Sequence, residues 1–155
     1  MIPEIKRILY TTDLSPNSAY AFRYALNSAK KHDASIIILH VVEEMAPFFD
    51  EERLKMISDK KITEAVVQIK KRLKRFCDGE LKDDPECIDK VESIEVCQGY
   101  PPEEILRKAD ELNCDVIVMG THGKGIIRHS FLGSSAQKVL RRVRKPVFII
   151  PYPEG

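Results

Sequence analysis

DVIVMGTHGKGIIRHSFLGSSAQK, residues 115–138, is the stretch whose reading decides the fold. Val116 to Met119 are four apolar, mostly β-branched residues closed by Gly120, the pattern of a strand buried on both faces of a parallel sheet. A basic, glycine-punctuated loop follows, and Gly133, Ser134 and Ser135 open an amphipathic segment in which either serine is placed to cap a helix. In open α/β sheets ligands bind beyond the carboxyl ends of the strands, and a helix starting at Ser134 or Ser135 turns its free N–H groups and positive dipole end toward that same place. No Asp or Glu occurs between Asp115 and Glu154, whereas Lys124, Arg128, Lys138, Arg141, Arg142, Arg144 and Lys145 all do. The arrangement predicts an anion site, with phosphate as the anion. Spacing alone leaves a second reading open, in which Gly120, Gly123 and Gly125 only turn the chain and the cations form a solvated helix face.

Two common phosphate motifs are excluded by counting. GxxxxGK[ST] fails because Lys124 is followed by Gly125 and the residue five before Gly123 is Val118; GxGxxG fails because Arg128 stands where the third glycine belongs. What fits is Gly120, two residues, Gly123, nine residues, then Gly133-Ser134. This spacing resembles the ATP-binding signature of the universal stress protein family.

Outward from this stretch, bulk properties bound the rest. With 155 residues, 43% of them hydrophobic, and a net charge of +1, a single soluble globular domain over 1–155 is expected. No apolar run approaches the roughly 20 residues that span a bilayer, and the opening MIPEIKR lacks a signal-peptide core. No membrane association and a cytoplasmic location are therefore expected. Near-zero net charge gives no general reason to bind nucleic acid, and none is expected. Cys77, Cys87, Cys97 and Cys114 match neither a CxxC redox pair nor zinc-ligand spacing. Free thiols are expected, because a cytosolic Cys77–Cys87 disulfide would be unusual. His32, His40, His122 and His129 form no HExxH-like cluster, so no protein-bound transition metal is expected.

From the N-terminus, Ile5 to Thr12 reads as a strand ending at Asp13, followed by a helix with Ser15 as N-cap, Pro16 at its first position and Ala19, Phe22, Leu26 and Ala29 inward. At the strand's carboxyl end Asp13 either accepts ribose hydroxyls, or a water on a phosphate-bound magnesium, or merely forms an Asx turn. Ser35 to Glu44 reads as a central buried strand whose end, around Val41 and Val42, suits an adenine ring or is plain core. Glu51 to Phe76 carries Ile62, Val66, Ile69, Leu73 and Phe76 as the stripe of a long helix. Lys90 to Gln98 alternates like an edge strand, with Ile94 and Val96 on one side and Ser93 and Glu95 on a wet side. Pro101 and Pro102 start a helix with Ile105, Leu106, Ala109 and Leu112 inward; the helix after Gly133 turns Ala136, Val139, Leu140 and Val143 inward, and KPVFIIPY closes the chain as a strand. Five strands alternating with four helices predict an α/β three-layer sandwich, a Rossmann-like parallel sheet of order 3-2-1-4-5.

Over its whole length the chain resembles a single-domain universal stress protein of the nucleotide-binding kind. KRILYTTDLS, HVVEE, GYPPEEIL, DVIVMGTHGKG, LGSSAQKVL and KPVFII carry the likeness. The resemblance implies the fold called adenine nucleotide alpha hydrolase-like and a role in the stress response. It implies that Asp13 meets ribose or metal, and that Val41 contacts adenine. Gly120, Gly123, Gly133, Ser134 and Ser135 would surround ribose and phosphates, with Thr12, Met119 and His122 as further nucleotide-binding candidates. Thr11-Thr12 before Asp13, where many relatives have proline ahead of the aspartate, and the extra Gly125 are departures that remove none of these contacts. The implied ligand is ATP, or AMP or ADP, with Mg2+ carried on the phosphates; no catalytic residue is assigned. Three functions stay open: a nucleotide-dependent regulatory protein, a slow ATP phosphohydrolase, and a ligand-free dimerisation module. Val147 to Ile150 carry no charge and would leave an apolar edge, so antiparallel pairing of this strand in a homodimer is expected, as the resemblance also implies.

Overall fold

The structure, a computed structural model, describes residues 1–43, 50–122 and 132–153, with the Cys87 side chain excepted. Its elements are β1 (Arg7–Thr11), α1 (Pro16–His32), β2 (Ser35–Glu43), α2 (Glu51–Gly79), a 3-10 turn over Pro85–Lys90, β3 (Val91–Gly99), α3 (Pro101–Glu111), β4 (Val116–Gly120), α4 (Ser134–Arg142) and β5 (Val147–Ile150). The sheet runs β3-β2-β1-β4-β5 with every pair parallel, the predicted order.

Alternation within apolar runs builds two cores. Ile8, Tyr10, Ile36, Ile38, Val116 and Val118 face α1 and α2, and Leu9, Ile37, Leu39, Ile117 and Met119 face α3 and α4. Ile8, Leu9, Ile36, Leu39, Val116, Ile117 and Val118 have no exposed surface. At about 1.5–3 kcal/mol for each fully buried aliphatic side chain, the three inner strands dominate the stability of the sheet.

Local chemistry places the helices. The Ser15 hydroxyl accepts from the Ser18 N–H at 3.2 Å with Pro16 at the first position, and the helix stops at Asp33, whose left-handed backbone (φ 51°) sends its N–H to Ala29 O. Asp50 caps α2 by accepting from Arg53 N–H at 2.8 Å. That helix buries only Ser58, Ala65 and Ile69, with Leu73 and Phe76 packed beside them, and its charged residues are exposed apart from half-buried Arg72.

Three expectations need correction. The wet side of β3 is half closed, since Ser93 and Glu95 are half-buried. A bulge is the reason Val91 shares a face with Ile94 and Val96: Ile36 pairs with Val91 but Ile37 with Ser93, so Glu92 is the extra residue. Leu140 does not turn inward but is 39% exposed, because the packed face of α4 is the narrow line Ala136–Val139. Finally, α4 is capped by Gly133 without any side-chain bond, so Ser134 and Ser135 are its first helical residues and not its caps.

The amino end of the sheet is stapled. One Asp115 oxygen accepts from the N–H groups of Lys6 (2.8 Å) and Arg7 (3.0 Å), while the Arg7 guanidinium donates to Leu112 O (2.7 Å) and reaches Glu92 at 3.2 Å. Through these bonds β1, β3 and the start of β4 are tied at the end opposite the loops.

Candidate functional site

At the carboxyl end of β1 the chain reverses into α1 over four residues, Thr12 to Ser15. Leu14 N–H donates to Thr12 Oγ1 and Ser15 N–H to Asp13 Oδ1, each at 3.0 Å, so Asp13 does form an Asx turn. Leu14 is held at φ 69°, a left-handed conformation costing roughly 1–2 kcal/mol in a residue with a side chain, and it packs against the α1–α2 core. The Thr12 hydroxyl lies 2.9 Å from Ser18 Oγ, and the turn is propped from β2 by His40, whose Nδ1 is 2.7 Å from Thr12 O. Tyr10 donates to Ser18 O at 2.6 Å, and burial pushes its phenol well above the ordinary tyrosine range.

One strand over, the end of β4 is threaded through Thr121. Its N–H donates to Ile150 O at 3.1 Å, and its carbonyl accepts from the Gly133 N–H at 2.6 Å. A single residue thus joins the ends of β4 and β5 to the start of α4. The two parts of the glycine spacing, Gly120 and Gly133-Ser134, are brought to one edge. The first intrahelical bond of α4 is Gln137 N–H to Gly133 O, so the amides of Ser134, Ser135 and Ala136 have no helical acceptor and, among the described residues, no capping side chain. Ser134 is exposed and Ser135 half-buried.

The remaining candidates divide. Val41 lies at the end of β2, half-buried on the α3–α4 side and paired with Cys97, two residues past the Leu39 that pairs with Thr11. Met119 is 5% exposed, its side chain committed to the core. The His122 Nδ1 lies 3.0 Å from Thr121 Oγ1. Gly123 falls outside the described residues, as do Lys124, Gly125, Arg128 and His129. The carboxyl edge of the sheet thus carries Val41 near the end of β2, Thr12 and Asp13 after β1, Gly120 and His122 at and after the end of β4, and Gly133, Ser134 and Ser135 at the start of α4; β1 and β4 flank the point where the crossovers change direction.

On α4, Lys138 lies over the Tyr100 ring (4.9 Å) and against its hydroxyl, while Arg141 and Arg142 are exposed in the last turn, at the far end of the helix from Ser134. Beyond β3, burial and the nearby Glu104 carboxylate push the Cys97 thiol up to about 11, while the Arg107 guanidinium holds Glu104 below its ordinary value. Cys77, Cys97 and Cys114 are free. Among the described residues no three His, Cys, Asp or Glu side chains gather as metal ligands, and no helix is long and apolar enough to cross a membrane. A separate hollow of about 220 Å3 between α1 and the end of α2 is lined by Arg23, Lys30, Phe76 and Glu80. Its charges are already paired, Arg23 with Glu80 and Lys30 with Asp84, so it offers a ligand little.

Sequence reading missed Asn17, Thr121 and His40. Asn17 carried one signal, being a poor helix former in the first turn of a helix already capped by Ser15. Thr121 and His40 carried none, because their roles depend on bonds to residues 12 to 29 positions away or on a strand neighbour.

Comparison with known proteins agrees with this fold. The model of the universal stress protein family matches residues 4–151. Two universal stress proteins of Methanocaldococcus jannaschii are 31% identical over 152 residues (96% of this chain, 84% of the relative) and 29% identical over 153 (94% of each). Among solved structures, a universal stress protein of Lactobacillus plantarum superposes with a TM-score of 0.78 at 22% identity, over 96% of this chain and 99% of that one. A universal stress protein in complex with cAMP gives 0.60 at 22% identity over 96% and 98%, and one from Archaeoglobus fulgidus in complex with dAMP gives 0.54 at 22% over 97% and 99%.

Proposed function

The chain belongs to the universal stress protein family, and from that premise we propose that it is a nucleotide-dependent regulatory protein of the stress response that binds ATP, or AMP or ADP. The observation that carries this reading is the Gly133 N–H to Thr121 O bond, which ties the amino end of α4 to the end of β4, next to Gly120. Adenylate ligands in two relatives of the same fold support the class of ligand. In this reading Val41 meets adenine, Thr12 and Asp13 the ribose, and Gly120, Gly123, Gly133, Ser134 and Ser135 the phosphates, with Met119 and His122 alongside. Mg2+ fits as an ion carried by the phosphates, since among the described residues no three His, Cys, Asp or Glu side chains gather as ligands and Asp13 Oδ1 already accepts from Ser15. Such an ion would neutralise phosphate charge. Cytoplasmic location and a single domain over the whole chain belong to the same proposal, as does a homodimer through Val147–Ile150.

Release of nucleotide from the purified protein by denaturation, followed by titration of emptied protein with ATP, AMP and ADP, tests the reading. Ligand at 100 times its dissociation constant stabilises a fold by about 2.7 kcal/mol. At roughly 2–4 °C per kcal/mol for a chain of this size, a rise of about 5–11 °C is expected. No co-purifying nucleotide and a melting point indifferent to millimolar ATP with magnesium would reject it.

A further inference from the structure

Asn17 stands on α1 one turn beyond Asp13, 7% exposed, facing across to β4. Its Nδ2 donates to Thr121 Oγ1 at 3.3 Å. Its Oδ1 is buried with no hydrogen-bond partner, an arrangement that costs free energy and calls for a reason. Gly120 supplies one. A Cβ at Gly120 would lie 2.8 Å from Asn17 Oδ1 and 3.4 Å from both its Cγ and its backbone carbonyl carbon. The amide therefore occupies the space a side chain on Gly120 would need, and the glycine C–H faces the carbonyl oxygen.

That contact fixes the amide orientation. With the oxygen toward Gly120, a weak C–H···O contact forms; turned over, the amide would press N–H against C–H. The chosen orientation leaves Nδ2–H donating to Thr121. The threonine hydroxyl accepts from Asn17 and keeps its own proton to donate to His122 Nδ1, 3.0 Å away. A neutral imidazole whose Nδ1 accepts carries its proton on Nε2.

We propose that Asn17 is a positioning residue of the nucleotide site: its buried amide gauges the exit of β4 against Gly120 and, through Thr121, sets His122 as an Nε2–H donor suited to an anionic ligand. The proposal rests on the nucleotide-binding reading for its purpose, but its geometry is testable in the empty protein.

The experiment has two arms. In the first, the ring nitrogens of His122 are assigned in the ligand-free protein by 15N NMR, with His122→Gln identifying the signals. The parent is expected to show protonated Nε2 and bare Nδ1, and both Asn17→Ala and Thr121→Val to shift toward a tautomer mixture. A parent with Nδ1 protonated, or variants whose ring signals do not move, overturns the relay. In the second arm, thermal unfolding and AMP titration are run on Asn17→Ala, Gly120→Ala and the double variant. Gly120→Ala alone is expected to weaken AMP about tenfold or more, and to have little further effect once Asn17 is alanine, the non-additivity expected of residues in contact. Single effects that multiply in the double variant overturn the gauge. If Gly120→Ala does not fold, the decisive comparison is whether the double variant does: its recovery supports the gauge and its failure rejects it. A parent that ignores AMP sinks the proposed function, while the tautomer and unfolding results still decide the role of Asn17.

Discussion

Replacing Ser134 by proline deletes one backbone N–H from the start of α4, and the structure allows that deletion to be nearly isolated. The N–H has no helical acceptor, Ser134 is exposed, and the first helical position suits the proline ring. The residue before a proline must be extended, and Gly133 already is, at φ −64° and ψ 161°. Folding stability should thus hold or rise, by about 0.4–1 kcal/mol through the stiffer unfolded chain. A hydrogen bond to a charged group contributes about 1.5–3 kcal/mol, so loss of a phosphate contact at this N–H predicts roughly 10- to 150-fold weaker binding of ATP. Stability and affinity are expected to move in opposite directions, which general damage to the fold would not produce. Calorimetric titration and thermal melting of Ser134→Pro would measure both, with Ser134→Ala and Ser134→Thr as controls that keep the N–H and bracket the side-chain size. ATP affinity within twofold of the parent, alongside an unchanged or higher melting point, would refute the claim that this helix start receives phosphate.

Other consequences can be checked separately. Phe148 is 38% exposed on the edge strand whereas Ile149 packs into the α3–α4 core; light scattering of Phe148→Lys over a dilution series should show a two-chain mass falling to one chain, and a parent that is already monomeric at micromolar concentration rejects the β5 seam. Because Arg107 lowers the native pKa of Glu104, its carboxylate stabilises the fold above the ordinary Glu value, and this is lost as pH falls through the lowered native value. The stability gap between parent and Glu104→Gln should therefore be open at pH 7 and close in acid; a gap that widens in acid contradicts the pairing. With Cys97 and Cys114 each raised to about 11, mainly by burial, alkylation at pH 8 should be slow in the native protein and fast after denaturation. Equal rates in the two states would refute their protection.

How far the sequence could be read depended on the range of the interactions involved. Strand order followed from uninterrupted runs such as Ile36–Leu39 and Val116–Met119, whose two-sided burial needs helices on both faces, and from the intervening helical periods. The Ser15-Pro16 cap is a bond between near neighbours and was legible for that reason. Less legible were features set by packing across elements: the outward turn of Leu140, the extra Glu92 in β3, and the capping of α4 by Gly133, whose N–H is claimed by Thr121. At the candidate site, Asp13 and Gly120 could be placed from strand ends and glycine spacing. Asn17 could not, because its partner is 104 residues away.

The position of β1 also bears on how the chain is made. Of the five strands this one is synthesised before the others yet sits in the middle of the sheet, and its neighbour β4 begins only at Val116. At about 5–20 residues per second, β1 waits roughly 5–20 s on the ribosome with one side unpaired. During that interval β1 has only β2 to pair with, so the nascent chain carries an open strand edge, the kind of surface that other chains can join. The staple of Asp115 on Lys6 and Arg7 is the first contact from the late half able to shut that edge. Substitution of Asp115 should therefore show itself in the yield of soluble protein before it shows in the stability of molecules that have already folded.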